Sequence, residues 1–468
     1  MKYTRDDRRP QEESGPTFTV EEAVEAMGFG RFQLTIYFVA GVINAADALE
    51  MMLLSVLSPV LRCEWYLSDT QVALITTAVF VGMGISAPAI GLIGDKYGRK
   101  AALLIVTVSI GYFGFLATFS PSYGWMVFLR GLVGVGLGGS PQGSSLLAEY
   151  LPSKYRAKIL LTNQVFWATG STVEILLASW IIPQIGWRWL MAVSAIPVIV
   201  AVVFLILVPE SSRYLVAAGR SREADDVLKR GAEVNGKSLP EGRLVQPSQN
   251  IKLGQPKDLF SNEYLRSTLQ IWFLWFGTAF TYYGMVLISS QVLTVSSAKR
   301  NTCKCAYLTH DDYVTMILAT LGEFACIPLN ILMIDRLGRK KTGAINWLFC
   351  GLFFGLLQLS VSRGLLTFFM FAVRAFSAAT FSWVYLYSVE IYPTSVRTFG
   401  MGSASTWARI GAMTTPFVSQ VLLNQSVSAA LSVYVVVCAL CCATAILLPV
   451  ETKGRALPQC VEMDIKEQ

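Results

Sequence analysis

An all-α integral membrane protein of twelve transmembrane helices, arranged as two six-helix pseudo-symmetric halves, is predicted by three features of the 468-residue chain. Hydrophobic residues make up 53% and charged residues only 15%, where a soluble domain carries about 25% charged. The mean hydropathy of +0.51 does not come from one buried core, because a soluble chain of this length needs far more polar surface to cover itself. The apolar residues fall in runs long enough to cross a bilayer, and lipid forbids open strand edges, so the runs are helices. The third feature is a set of motifs that recurs in the same order in both halves.

Apolar runs bounded by charges place spans 1–6 at residues 32–58, 70–94, 101–119, 124–149, 159–182 and 186–209. Spans 7–12 fall at residues 267–293, 312–334, 342–361, 365–390, 398–424 and 428–449. The organisation is then an N-terminal tail (1–31), a first half (32–209), a linker (210–266), a second half (267–449) and a C-terminal tail (450–468). The tail is polar and charged rather than built as a signal peptide, and it predicts a short amphipathic helix opening at Thr19. The linker predicts another over Ser221 to Glu233. With the N-terminus inside, cytoplasmic segments hold 29 Lys and Arg and the opposite loops six. That asymmetry predicts both termini in the cytoplasm, and it accounts for the net charge of +7 without a nucleic-acid partner.

Asp95-Lys-Tyr-Gly98-Arg99-Lys100 after span 2 matches Asp335-Arg-Leu-Gly338-Arg339-Lys340 after span 8. Glu149-Tyr-Leu-Pro152 with Arg156 matches Glu390-Ile-Tyr-Pro393 with Arg397, and the Asp-to-Glu spacing is 54 in one half and 55 in the other. Pro209-Glu210 after span 6 matches Pro449-Val-Glu451 after span 12. Such a repeat across a membrane puts the substrate site between the halves, near the midplane.

Two motifs mislead. Gly231-Ala-Glu-Val-Asn-Gly236-Lys237-Ser238 fits the phosphate-loop pattern, but a helix precedes it and Leu239-Pro240 comes next, so no helix N-terminus faces a phosphate. Gly134-x-Gly136-x-x-Gly139 fits a dinucleotide fingerprint but lies in an apolar run, where small residues serve close helix packing. His310 is the only histidine, and no cluster has metal-ligand spacing, so neither enzyme activity, cofactor nor metal is predicted. Cys63 is a disulfide candidate with Cys303 or Cys305 on the non-cytoplasmic side. The Asn424 sequon hugs the end of span 11.

The paired motifs resemble the major facilitator superfamily over nearly the whole chain, with Gly91 to Lys100 similar to its signature between spans 2 and 3. The Glu-x-x-Pro-x-x-x-Arg and Pro-x-Glu-Thr-Lys-Gly elements resemble the sugar-porter and organic-ion branches, whereas Trp275 to Gly284 in span 7 is similar to organic-ion transporters. Phe18 to Phe32, Arg62-Cys63-Glu64-Trp65 and Gly186-Trp187-Arg188-Trp189 resemble the synaptic-vesicle-two-related family, in particular its SVOP-like branch. The resemblance implies the major facilitator fold and transport by alternating access. It also implies a cytoplasmic gate at Asp95, Gly98, Arg99, Glu149, Arg156, Asp335, Gly338, Arg339, Glu390 and Arg397.

The ionisable residues inside spans are Asp47, Glu50, Arg130, Glu174, Glu323, Arg374 and Arg409. Each costs about 2.5–3.5 kcal/mol at a helix centre, so such groups mark a pathway or an internal ion pair. Asp47 and Glu50 share one helix face, and with Arg130 nearby they are candidates for proton coupling or for a cation site. Arg409, near the middle of span 11, can grip a carboxylate, and its place resembles that of an arginine in organic-anion carriers. The alternative is a pair between Arg409 and Glu323. Further candidate substrate contacts are Glu174, Trp167, Trp275, Tyr282, Tyr283, Trp383 and Tyr385, whose rings suit an organic solute. The expected function is secondary transport of a small organic solute, an anion favoured, with protons as the candidate coupling ion. The expected partners are the lipid bilayer and that solute, with no nucleic acid and no required protein partner. The alternative is a receptor, sensor or vesicle component that keeps the transporter fold.

Overall fold

The computed structural model describes residues 16–245, 259–261, 264–298, 307–392 and 396–453. Nine helical runs among them are long and apolar enough to cross a bilayer unaided. Spans 1–3 are Arg31–Glu64, Asp69–Tyr97 and Arg99–Ala117. Span 4 comprises Tyr123–Leu137 and Pro141–Glu149, span 5 Ser153–Thr162 and Gln164–Ile185, and span 6 Trp187–Leu207. Span 7 is Leu265–Ala298, span 8 comprises His310–Thr320 and Gly322–Leu337, span 9 is Arg339–Leu356 and span 10 Arg363–Ile391. Span 11 runs through Arg397–Pro416, a π-turn at Phe417–Leu422 and Leu423–Gln425, and span 12 is Val427–Ile446. Spans 4, 9 and 11 fall outside the nine because a break, a basic first turn and a polar, π-turned course dilute their apolar runs.

Span 1 outruns the expected end at residue 58, running to Glu64 with Pro59 inside it. Proline removes one N–H from the helix ladder and orphans the carbonyl four residues back. Here that carbonyl, on Ser55, accepts from Ser290 Oγ of span 7 at 2.8 Å, so the helix continues past the proline.

The repeat reappears as paired backbone contacts. A Cβ at Gly134 would lie 2.1 Å from the Val79 carbonyl, bringing spans 4 and 2 into backbone contact, as Gly322 does for spans 8 and 10 at Phe371. Likewise Gly170 abuts Ala45 between spans 5 and 1, and Gly411 abuts Phe276 between spans 11 and 7. The apolar windows of spans 1 and 7 are 83% buried and those of the other qualifying spans 33–50%, so these two occupy the middle and the rest show a lipid face.

A second core forms at the tail end of the first half. The tail helix Val20–Met27 opens on a Thr19–Glu22 capping box, and the linker helix Ser221–Asn235 packs beside it. Thr17–Phe18 and Arg243–Leu244 form a two-residue parallel bridge. Asn235 ties the pieces together: its side chain accepts from Phe32 N at 3.0 Å and donates to Gln33 Oε1 at 2.7 Å. The phosphate-loop look-alike therefore ends a helix, with Gly236 as its left-handed cap and Gly231 packed on Met27 and Phe32.

Candidate solute and ion site between the halves

The halves meet most firmly at the end opposite the tail and linker helices. Ser55 Oγ donates to the Val286 carbonyl at 2.6 Å, and Arg62 bridges Gln291 at 3.1 Å and Asp69 at 3.1 Å. Gln420 Nε2 donates to Ser58 Oγ at 2.9 Å, and Asn424 donates to Asp69 at 2.9 Å. Among the described residues the ion pairs of the tail-end motifs, by contrast, join residues of one half to each other. This arrangement closes one mouth between the halves.

Near the midplane the structure sorts the buried charges. Arg130 Nη1 lies 2.7 Å from Glu50 Oε2, with side chains 1% and 2% exposed. Asp47, one turn away, is buried beside the Ser140 side chain and has no salt bridge among the described residues. Glu174 accepts from Ser194 Oγ of span 6 at 2.8 Å. In the second half Arg374 Nε lies 2.7 Å from Glu323 Oε1, which also accepts from Tyr282 at 2.8 Å. Tyr282 in turn accepts from Trp167 Nε1 at 2.5 Å, so this chain of bonds crosses between the halves. Glu323 Oε2 and Arg374 Nη1 are buried without partners.

The expected alternative, Arg409 paired with Glu323, does not form, because Arg374 of the adjacent span 10 takes that carboxylate. Among the described residues Arg409 reaches only the weak acceptor Met83 Sδ at 3.9 Å across the interface, and its Nε is buried without a partner. Arg409 and Asp47 both lie close enough to Tyr283 for their charges to act on its hydroxyl. Tyr283 itself packs on Phe80, ring centroids 4.9 Å apart.

The aromatic candidates divide. Trp275 donates to Ser388 Oγ at 2.9 Å, and its ring meets half-exposed Tyr385 at 6.1 Å. Trp383 does not line the interface: it is fully buried, donates to the Arg339 carbonyl at 2.6 Å and fills the space beside Gly343. It packs span 10 on span 9, a role its place in an aromatic run conceals. Residues that sequence reasoning passed over are Ser194, Met83, Arg374 as the partner of Glu323, and Gln420. Only Gln420, polar in an apolar run after Pro416, carried a local signal.

The ten motif residues at the tail end work within each half. Arg99 contacts Asp95 at 2.5 Å and Glu149 at 3.5 Å, while Arg339 grips Glu390 through bonds of 2.8 and 2.6 Å. Asp335 is exposed. Arg156 caps the Leu151 carbonyl at 3.0 Å and Arg397 the Tyr392 carbonyl at 3.2 Å. Glu210 accepts from Lys100 N at 3.0 Å, and Glu451 accepts from Arg339 N at 2.8 Å and Lys340 N at 2.9 Å, so each caps the N-terminus of the third helix of its half. Gly98 (φ 106°) is required because a Cβ there would meet the Glu210 carboxylate at 2.1 Å, and Gly338 (φ 82°) holds the matching place. Burial alone would raise the Glu451 pKa, but the amides of Arg339, Lys340 and Lys453 outweigh it and leave the carboxyl below its usual 4.5. The proposed disulfide partners Cys303 and Cys305 lie outside the described residues.

Two repeated six-helix halves with buried charge at their interface define a transporter of the major facilitator class, not an enzyme. The chain belongs to the family described as "Sugar (and other) transporter", whose model matches residues 26–463. It is 45% identical to human SVOPL over 96% of this chain and 95% of that one. It is 44% identical to rat "Synaptic vesicle 2-related protein", covering 96% and 84% of the two chains. Among solved structures it is similar to the xylose transporter XylE from E. coli in a "partially occluded inward open conformation" (TM-score 0.71, 18% identity, 92% of this chain and 100% of that one).

Proposed function

We propose that this multi-pass membrane protein carries a small organic anion by alternating access, with Arg409 as the anion's counter-charge. The observation that carries the reading is the contrast among the three arginines inside spans, of which Arg130 and Arg374 are buried and Arg409 is half-buried. Arg130 and Arg374 each hold a glutamate, whereas Arg409, among the described residues, holds only a thioether across the interface. The Arg409 guanidinium is half-buried with its Nε shut off from solvent and unpartnered, and a carboxylate offered by a solute answers it through charge-assisted hydrogen bonds. Tyr283, Trp275 and Tyr385 supply ring surface for an apolar body. Asp47 and Glu50 are assigned to proton coupling, Glu50 releasing its proton in favour of Arg130. The lysine and arginine asymmetry assigns the tail, the linker (210–266) and the C-terminal tail (450–468) to the cytoplasm. On that orientation the closed mouth is the outer one. The motif residues at the cytoplasmic end are assigned to the gate, each set stiffening its own half.

The test compares uptake of radiolabelled benzoate and of a quaternary amine, tetraethylammonium, into proteoliposomes. Arg409→Ala is expected to lose benzoate uptake at least tenfold and Arg409→Lys to retain part of it. Full benzoate uptake by the alanine variant, or uptake of the amine alone by the wild type, refutes the assignment.

A further inference from the structure

Between the Glu50–Arg130 pair and the closed mouth lies a small cavity with apolar walls, into which Ser58, Thr76 and Arg130 also project. Arg130 is 1% exposed and spends Nη1 on Glu50, leaving Nε and Nη2 buried without partners. The opposite wall has the complementary deficit. Ser58 Oγ donates to the Leu54 carbonyl at 2.6 Å and accepts from Gln420 at 2.9 Å. Thr76 Oγ1 exchanges longer bonds with the Gln420 amide, 3.4 and 3.5 Å. Each hydroxyl has spent its hydrogen and keeps a lone pair. The cavity thus offers N–H donors on one side and oxygen lone pairs on the other. A halide would satisfy the arginine but face those lone pairs. Water satisfies both, accepting from Arg130 and donating to Ser58 and Thr76, so these three polar groups make a hydration site within otherwise apolar walls.

We infer that this cavity is a water-holding chamber, the outer half-channel through which external protons reach Glu50, with the Gln420 side chain as its plug. The inference rests on the proton-coupling reading above and adds a route to it. Gln420 is carried on the π-turn Phe417–Leu422, directly after Pro416. π-turns inside α-helices recur at functional sites, and returning one to α-helix turns the residues it carries, Gln420 among them, by an angle that builds to roughly 100° at its end. That rotation withdraws the amide from Ser58 and Thr76 and opens the chamber outward. The groups facing Glu50 are Arg130 from span 4, Glu174 from span 5 and Asp47 on its own helix, while span 3 presents the backbone of Gly114. A hydronium ion that arrives through the opened chamber passes its proton to Glu50, which lies behind Arg130 rather than on the cavity wall, and becomes water. The ion pair becomes a neutral acid beside a guanidinium whose charge is unchanged.

The experiment uses protons as the probe and needs no solute. The full chain is reconstituted in liposomes with trapped pyranine and clamped with potassium and valinomycin, and an external acid pulse is applied. The wild type is expected to acidify slowly. Gln420→Ala is expected to acidify at least fivefold faster, with the rate returning to wild type when Glu50→Gln is added. Gln420→Met, which keeps the volume and loses the hydrogen bonds, is expected to behave like the alanine variant and stands in if that one does not fold. A folded Gln420 variant that leaks no faster than wild type, or a leak that survives Glu50→Gln, overturns the inference. pH-driven benzoate uptake by Glu50→Gln alone reports on coupling. Its loss, together with no leak in the Gln420 variants, removes the chamber and leaves the coupling standing.

Discussion

Replacing Arg374 with leucine removes one partner of an ion pair whose side chains are 1% and 4% exposed. The Glu323 carboxylate would keep only the Tyr282 hydroxyl on Oε1, since Oε2 already has no partner. Stranding one member of a buried pair costs about 3–5 kcal/mol, a large share of the roughly 5–15 kcal/mol that separates folded from unfolded protein. Adding Glu323→Gln removes the stranded charge and keeps a carbonyl oxygen for Tyr282. The double variant loses the pair's own hydrogen bond, about 1–3 kcal/mol, so it is expected to regain about 2 kcal/mol relative to the single variant. Thermal unfolding in detergent, followed by intrinsic fluorescence, reads the order wild type, double variant, Arg374→Leu. If the pair also serves the transport cycle through the Trp167–Tyr282 bond, the stable double variant will still transport poorly. A single variant as stable as wild type, or a double variant weaker than the single, refutes the charge-pair reasoning.

Glu451 holds the start of span 9 through backbone amides, and its carboxyl titrates below its ordinary 4.5 in the folded chain. Its stabilising contribution is therefore complete above about pH 4.5 and disappears as pH falls through the folded-state value. Glu451→Gln is expected to lower the unfolding temperature at neutral pH and to converge on wild type in acid, and a constant difference across pH would contradict the assignment. For orientation, a single cysteine at Tyr66, which is 90% exposed in the turn between spans 1 and 2, is expected to react with a membrane-impermeant thiol reagent on the outside of the membrane. One at Asp226 on the linker helix is expected to react only after permeabilisation, and the reverse pattern would invert the topology.

The lateral partners of the charges were not legible one residue at a time. Arg409 and Glu323 sit at similar depths, and depth alone made them a reasonable pair. Arg374 takes Glu323 because spans 8 and 10 touch at backbone distance where Gly322 meets Phe371. The Asp47–Glu50 face was readable from a three-residue spacing, yet the two carboxylates take different partners, Glu50 turning to Arg130 and Asp47 lying beside Ser140. Trp383 looked like its aromatic neighbours in span 10 until Gly343 showed which way it packs.

The sequence by itself determined everything that depends on position along one chain. Hydropathy marks where helices cross, because a bilayer admits only segments that satisfy their own backbone. The motifs Asp95 to Arg99 and Asp335 to Arg339 declare the repeat, and glycines at positions 98 and 338 foretell the turns that let Glu210 and Glu451 cap the next helices. Tertiary structure alone decided which helix faces which, and therefore that Arg130 and Arg374 each hold a glutamate while Arg409 has no counter-ion among the described residues. It also placed Gln420 between Ser58 and Thr76, more than three hundred residues away in sequence. The physical reason is that lipid is as apolar as the side chains it surrounds, so hydropathy cannot choose lateral neighbours. Close backbone approach at small residues and the pairing of scarce polar groups make that choice, and both are non-local.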